Sequence, residues 1–156
     1  MILLAALAMA AAAPATDEIL DLSSTQALVT ALQQAGYKAE LKRSDSGEPY
    51  IMSSVNGSGF ELDLFFDDNK CTSAQIQSFY KAKPEYTAAL ANEWNNGKRF
   101  LKVSIGANGE LREWFDFSLA GKMSQKNFAD IIEWYGSMDA SLAKFLDERA
   151  PKSASK

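Results

Sequence analysis

Amide, indole and guanidinium groups are crowded into Asn92-Glu93-Trp94-Asn95-Asn96-Gly97-Lys98-Arg99-Phe100. Arg99 in such a set could clamp a carboxylate or phosphate with two parallel bonds. The asparagines would then read polar groups, giving a small-ligand or enzymatic pocket beside Trp94, Asn95 and Arg99. The same side chains have a structural use. Trp94 can anchor a helix end in the core, Asn95 or Asn96 can satisfy helix-end carbonyls, and Arg99 can tie the next strand to an acidic neighbour. We adopt the structural reading.

Other candidates for chemistry are thinner. The chain has 156 residues and no histidine, which removes the commonest general base and metal ligand and rules out Ser-His-Asp and Cys-His triads. One cysteine with carboxylates is a poor set for zinc. Asp67-Asp68-Asn69 offers oxygen ligands but lacks the spacing and closing glutamate of a calcium loop, so it reads as a solvated turn. Glu61 with Asp63, and Glu110 with Glu113, read as carboxylates on wet strand faces rather than a glycosidase pair. Gly57-Ser58-Gly59 precedes a strand, whereas a phosphate cradle leads into a helix. We therefore expect no enzyme activity, no metal and no cofactor.

The segments that must position these residues follow from periodicity. Ser23 and Gln26 fit a capping box, Leu28, Val29, Leu32 and Ala35 share a helical face, and Gly36 suits a helix stop. Strands are predicted around Tyr37–Lys42 and Tyr50–Val55, and Asn56-Gly57 forms a tight turn. Phe60, Leu62, Leu64 and Phe66 then alternate with Glu61 and Asp63, the pattern of a strand with one buried face. Thr72–Tyr80 suits either a short helix or a strand; its length and the hairpin-sized loop before it favour strand. Pro84 is expected to open a second helix, buried through Tyr86, Ala89, Leu90 and Trp94 and ended by Gly97. A hairpin follows, with Leu101, Val103 and Ile105 alternating, a turn at Asn108-Gly109, and Leu111, Phe115, Phe117 and Leu119 returning. Ser124 caps the last helix, whose stripe runs Phe128, Ile131, Ile132, Tyr135, Met138, Leu142, Phe145, Leu146. The order is helix, four strands, helix, two strands, helix: an α+β fold with an antiparallel sheet packed against helices. Tyr50, Phe65 and Trp114 fall on the sheet face away from the expected core and mark a candidate partner-binding face.

Met1 to Ala13 is uncharged and apolar and runs into Ala13-Pro14-Ala15, the pattern of a secretory leader with cleavage before Thr16. It is too short for a bilayer core that needs roughly 20 residues. The expected organisation is a signal peptide over 1–15, one domain over 16–150 and a disordered polar tail over 151–156, with a periplasmic or secreted address and no membrane span after cleavage. The net charge of −4 argues against nucleic acid as a partner.

Several short elements together carry a family likeness. They are Gly36-Tyr37, Pro49-Tyr50-Ile51, Gly57 with Phe60-Glu61-Leu62, Cys71-Thr72-Ser73 and, most specifically, Asn92-x-Trp94-Asn95 with Arg99-Phe100. From Ser23 to Leu146 the chain resembles the YbjN-type family of bacterial sensory transduction regulators, whose fold is similar to type III secretion chaperones. The resemblance implies a non-enzymatic domain that binds a protein partner and forms homodimers. It also implies, for many exported members, a second cysteine just before the turn preceding Cys71. Here that stretch is Phe65-Phe66-Asp67-Asp68, so Cys71 has no such partner.

Overall fold

The computed structural model describes residues 18–151. The expected leader and all of the tail beyond Pro151 lie outside them. Within them, α1 (Thr25–Gln34) leads into strands β2 (Glu40–Arg43), β3 (Pro49–Val55), β4 (Ser58–Asp67) and β5 (Lys70–Tyr80). Then come α2 (Ala88–Gly97), β6 (Lys102–Ile105), β7 (Leu111–Ser118) and the long α3 (Gln125–Arg149). That is the predicted order and class. Two further strands of two residues each, β1 (Ile19–Leu20) and β8 (Met123–Ser124), pair only with one another.

The six main strands form one antiparallel sheet in the order β2-β3-β4-β5-β7-β6. Residues of alternate parity, including Ile51, Phe60, Leu62, Ile76 and Leu111, point to one face and are buried against α1, α2 and α3. Full burial of each such side chain contributes roughly 1.5–3 kcal/mol. The β3–β4 hairpin turns on Asn56 and Gly57, both at positive φ (51° and 86°), as the tight hairpin requires. Helix α3 crosses that hairpin at Gly136, where an added Cβ would sit 2.7 Å from Val55 Cγ2. Only glycine allows this approach.

Several expectations shift. Ser24, not Ser23, caps α1, accepting from the Ala27 amide at 3.2 Å; Ser23 instead gives its carbonyl to Cys71. The strand expected from Tyr37 begins at Glu40 (β2), because Gly36 and Tyr37 amides return to Gln33 and Leu32 and complete the end of α1. Pro84 lies in a turn, and α2 starts four residues beyond it, at Ala88, under a Thr87 cap whose oxygen accepts from Leu90. That start leaves Ala89 exposed and buries Ala91. Phe66 is 40 % exposed instead of buried, since the β4–β5 register shifts between Phe65 and Phe66 and a bulge re-aims side chains.

Candidate functional site

The crowded segment at the end of α2 is spent on the fold. Trp94 is 1 % exposed, and its indole N–H donates to the Leu101 carbonyl at 3.0 Å. Asn95 pairs twice with one residue of the edge strand β6. Its Nδ2 donates to Val103 O at 2.9 Å, and its Oδ1 accepts from Val103 N at 3.0 Å. One side chain thus takes the place of a neighbouring strand at an edge that would otherwise be open. Lys102 reaches back to the Asn95 and Lys98 carbonyls at 3.1 and 2.9 Å, satisfying helix-end acceptors.

Asn92 and Arg99 are exposed, and the Arg99 guanidinium lies 4.7 Å from the centre of the Phe100 ring. Phe100 takes a positive φ of 63° and sets its ring against Phe115 and Trp134. The polar atoms of Trp94 and Asn95 are used by backbone, so these side chains do not converge with Arg99 on a ligand.

The residues placed on the outer face lie apart. Tyr50, half-buried, and Phe65, 48 % exposed, share a groove of about 460 Å³ at the end of β3 and β4 remote from their Asn56-Gly57 turn, with Glu48, Asp63 and Phe66. Trp114 stands two strands away, under the Arg112 guanidinium at 5.4 Å. Between them runs a polar network. Gln77 Nε2 donates to Asp63 at 2.5 Å and to Glu61 at 3.3 Å, and Gln77 Oε1 accepts from Arg112 at 2.6 Å. Arg112 also bonds Gln75, which donates to Asp116 at 2.6 Å. Partial burial raises the pKa of both Glu61 and Asp63; for Asp63 the Arg112 charge works in the opposite direction.

Glu113 is the main departure. Expected on a wet face, it is fully buried on the core face of β7, between Leu111 and Phe115 in the alternation. Its Oε1 accepts from Tyr135 at 2.7 Å and Ser78 at 2.6 Å, and Tyr80 donates to Asp139 of α3 at 2.7 Å. Burial pushes the Glu113 carboxyl up to about 7; the Ser78 and Tyr135 bonds oppose that, and the facing Asp139 carboxyl adds to it. Oε2 has no hydrogen-bond partner, which suits a carboxyl that burial keeps in its protonated form. Burial also raises the pKa values of Tyr80 and Tyr135, which stay protonated. The signal was present in the sequence: Glu113 has core parity on its strand, and Tyr135 and Asp139 are one helical turn apart on the apolar stripe.

Cys71 is 3 % exposed and donates to the Ser73 carbonyl at 3.5 Å. Burial raises its pKa, which makes a poor nucleophile. It borders a cavity of about 440 Å³ that Lys70, Lys122 and Asp21 also line. Asp67, Asp68 and Asn69 form the β4–β5 turn, the last two at positive φ. Among the described residues no three His, Cys, Asp or Glu side chains are placed to hold a metal, and no helix is long and apolar enough to cross a membrane.

The model of the YbjN family, described as "Putative bacterial sensory transduction regulator", matches residues 24–148. The fold is similar to the crystal structure of YbjN from E. coli, described there as "a putative transcription regulator". The TM-score is 0.57 at 14 % identity, over 84 % of this chain and 95 % of that one. No curated protein matches.

Proposed function

The chain belongs to the YbjN family, and from that premise we propose that it is an exported, non-enzymatic regulatory domain that acts by binding protein partners. The observation that carries the reading is the groove of Tyr50, Phe65 and Phe66 at the sheet end, where two phenylalanines are 48 % and 40 % exposed. Solvent-exposed aromatics grouped around a concavity are what protein interfaces are built from. The candidate carboxylates form no acid–base pair: Glu113 is sealed under α3, and Glu61 and Asp63 share the Gln77 amide.

The E. coli relative's description invites contact with DNA, but the charge of this chain favours protein-mediated regulation. Its net charge is −4, and the basic cluster after α2 is engaged. Lys102 serves two carbonyls, and Lys98 and Arg99 lie over Trp94 and Phe100. The leader pattern of residues 1–15 supports the exported address. The exposed edge strand β2 offers a route to a homodimer.

The test has two parts. Fractionation with intact-mass measurement is expected to find the chain outside the cytoplasm, starting at Thr16. A photo-cross-linker at position 65 is expected to capture a protein in the intact envelope. An unprocessed cytoplasmic chain that is monomeric by light scattering and forms no adduct would sink the reading.

A further inference from the structure

The groove that holds Tyr50 and Phe65 is a break in the sheet edge, and a single residue explains it. The β3–β4 ladder ends at Tyr50↔Asp63, whereas the β4–β5 ladder continues to Asp67↔Lys70. The residue that would extend the first ladder is Pro49, which has no N–H to donate, and from there the chain leaves along the β2–β3 turn. On the β3 side, therefore, the backbone from Leu64 to Asp67 has no strand beside it among the described residues.

The side chains that line this notch carry one sign of charge: Glu48 and Asp63 line it and no lysine or arginine does. Asp67 and Asp68 follow at its open end, with Lys70 across from Asp67. The nearest cations on β2 are occupied, Lys42 by Glu40 at 2.8 Å and Arg43 by the Gly47 carbonyl at 2.8 Å. Aromatic faces beside carboxylates attract cations through both ring quadrupole and charge.

We propose that this notch binds an extended, lysine- or arginine-bearing peptide segment, which adds as a short strand beside Leu64–Phe66 and sets its cations against Glu48, Asp63 and the Phe65 ring. Main-chain pairing supplies affinity and alternate side chains supply selectivity, as in other strand additions. The assignment rests on the protein-binding reading and narrows it to one surface and one ligand chemistry.

The experiment uses the exported full chain and two fluorescein-labelled probes, Lys-Val-Lys-Val-Lys-Val and Glu-Val-Glu-Val-Glu-Val. Polarisation titration is expected to show the lysine probe binding at least roughly tenfold more tightly than the glutamate probe. The double variant E48Q/D63N, and separately Phe65→Ser, should each weaken the lysine probe by roughly fivefold or more while thermal melts stay unchanged. Backbone amide shifts on titration should centre on Leu64–Asp67. Equal binding of both probes, indifference to these variants, shifts centred elsewhere, or no binding of the lysine probe would overturn the proposal. So would shifts at Leu64–Asp67 that appear with rising protein concentration alone, which would seat a second copy there. If the lysine probe fails and position 65 forms no adduct, yet a photo-cross-linker at position 114, two strands away, captures a partner in the envelope, only the notch is wrong. If both fail, the protein-binding reading falls with it.

Discussion

The two faces of the sheet both carry carboxylates near their centre and treat them in opposite ways. On the outer face Glu61 and Asp63 keep partial contact with water and share Gln77 and, through it, Arg112. On the inner face Glu113 is sealed from solvent, with no cation beside it among the described residues; hydroxyls of Ser78 and Tyr135 are its donors and a second carboxyl faces it. A buried acid so placed lowers its cost by keeping its proton, whereas a half-exposed one remains a charge that neighbours can use. The inner pair thus belongs to the stability of the domain and the outer pair to its surface chemistry.

The largest expected effect lies on the inner face. Folded Glu113 holds its proton to about pH 7, against an ordinary 4.5, so its stabilising contribution is complete below about pH 4.5 and is lost as pH rises through 7. The loss is at most on the order of 3 kcal/mol. Urea midpoints at pH 5 and pH 8 should show it, and Glu113→Gln should flatten that part of the curve. The variant comparison is needed because Glu61 and Asp63, raised by partial burial, bend the curve the same way, whereas Asp21, Glu40 and Glu93, held low by Ser23, Lys42 and Arg149, act only below their ordinary range. An unchanged slope in Glu113→Gln would place the titration elsewhere.

Next in size is Tyr135→Phe, which removes one of the two donors to Glu113 and should cost about 1–3 kcal/mol. The cost should be greater at pH 8 than at pH 5, since the ionised carboxylate needs the donor more. A cost independent of pH in chemical denaturation would show that Tyr135 matters only for packing. On the outer face, Gln77→Ala breaks the bridge between two carboxylates and Arg112 and should cost about 1 kcal/mol. Partial solvent access lets water replace much of what is lost, so a larger loss would make the outer network as critical as the inner one. Smallest is Phe65→Ser, expected to change stability by less than about 0.5 kcal/mol in thermal melts. A drop of several kcal/mol would mean that this ring is part of the core and not of a binding surface.

The same contrast marks how much was legible. Strand alternation placed Phe60, Leu62 and Leu64 inward, and helical spacing placed Phe128, Ile132, Tyr135, Leu142 and Leu146 on the buried stripe of α3. Those patterns depend only on local period. Glu113 has the same parity as Leu111 and Phe115, yet its charge alone argued for water. Its burial depends on hydroxyls contributed by β5 and α3, 35 and 22 residues away in the chain. Phe66 failed for a different reason, a register shift against β5 that the alternation of β4 does not encode. The notch was hidden because nothing local to Pro49 says which ladder it interrupts; its strand neighbours decide that.

By itself the sequence determined the order of elements, the α+β class, the family and the acidic surface, because each follows from residue type and local period. Tertiary structure alone decided that Asn95 closes the β6 edge at Val103 while Pro49 leaves the edge of β4 open beyond Asp63. It also decided that burial raises one of several similar glutamates to about 7. Both outcomes turn on whether a polar group meets a partner or water, and that is settled by which distant segments pack together.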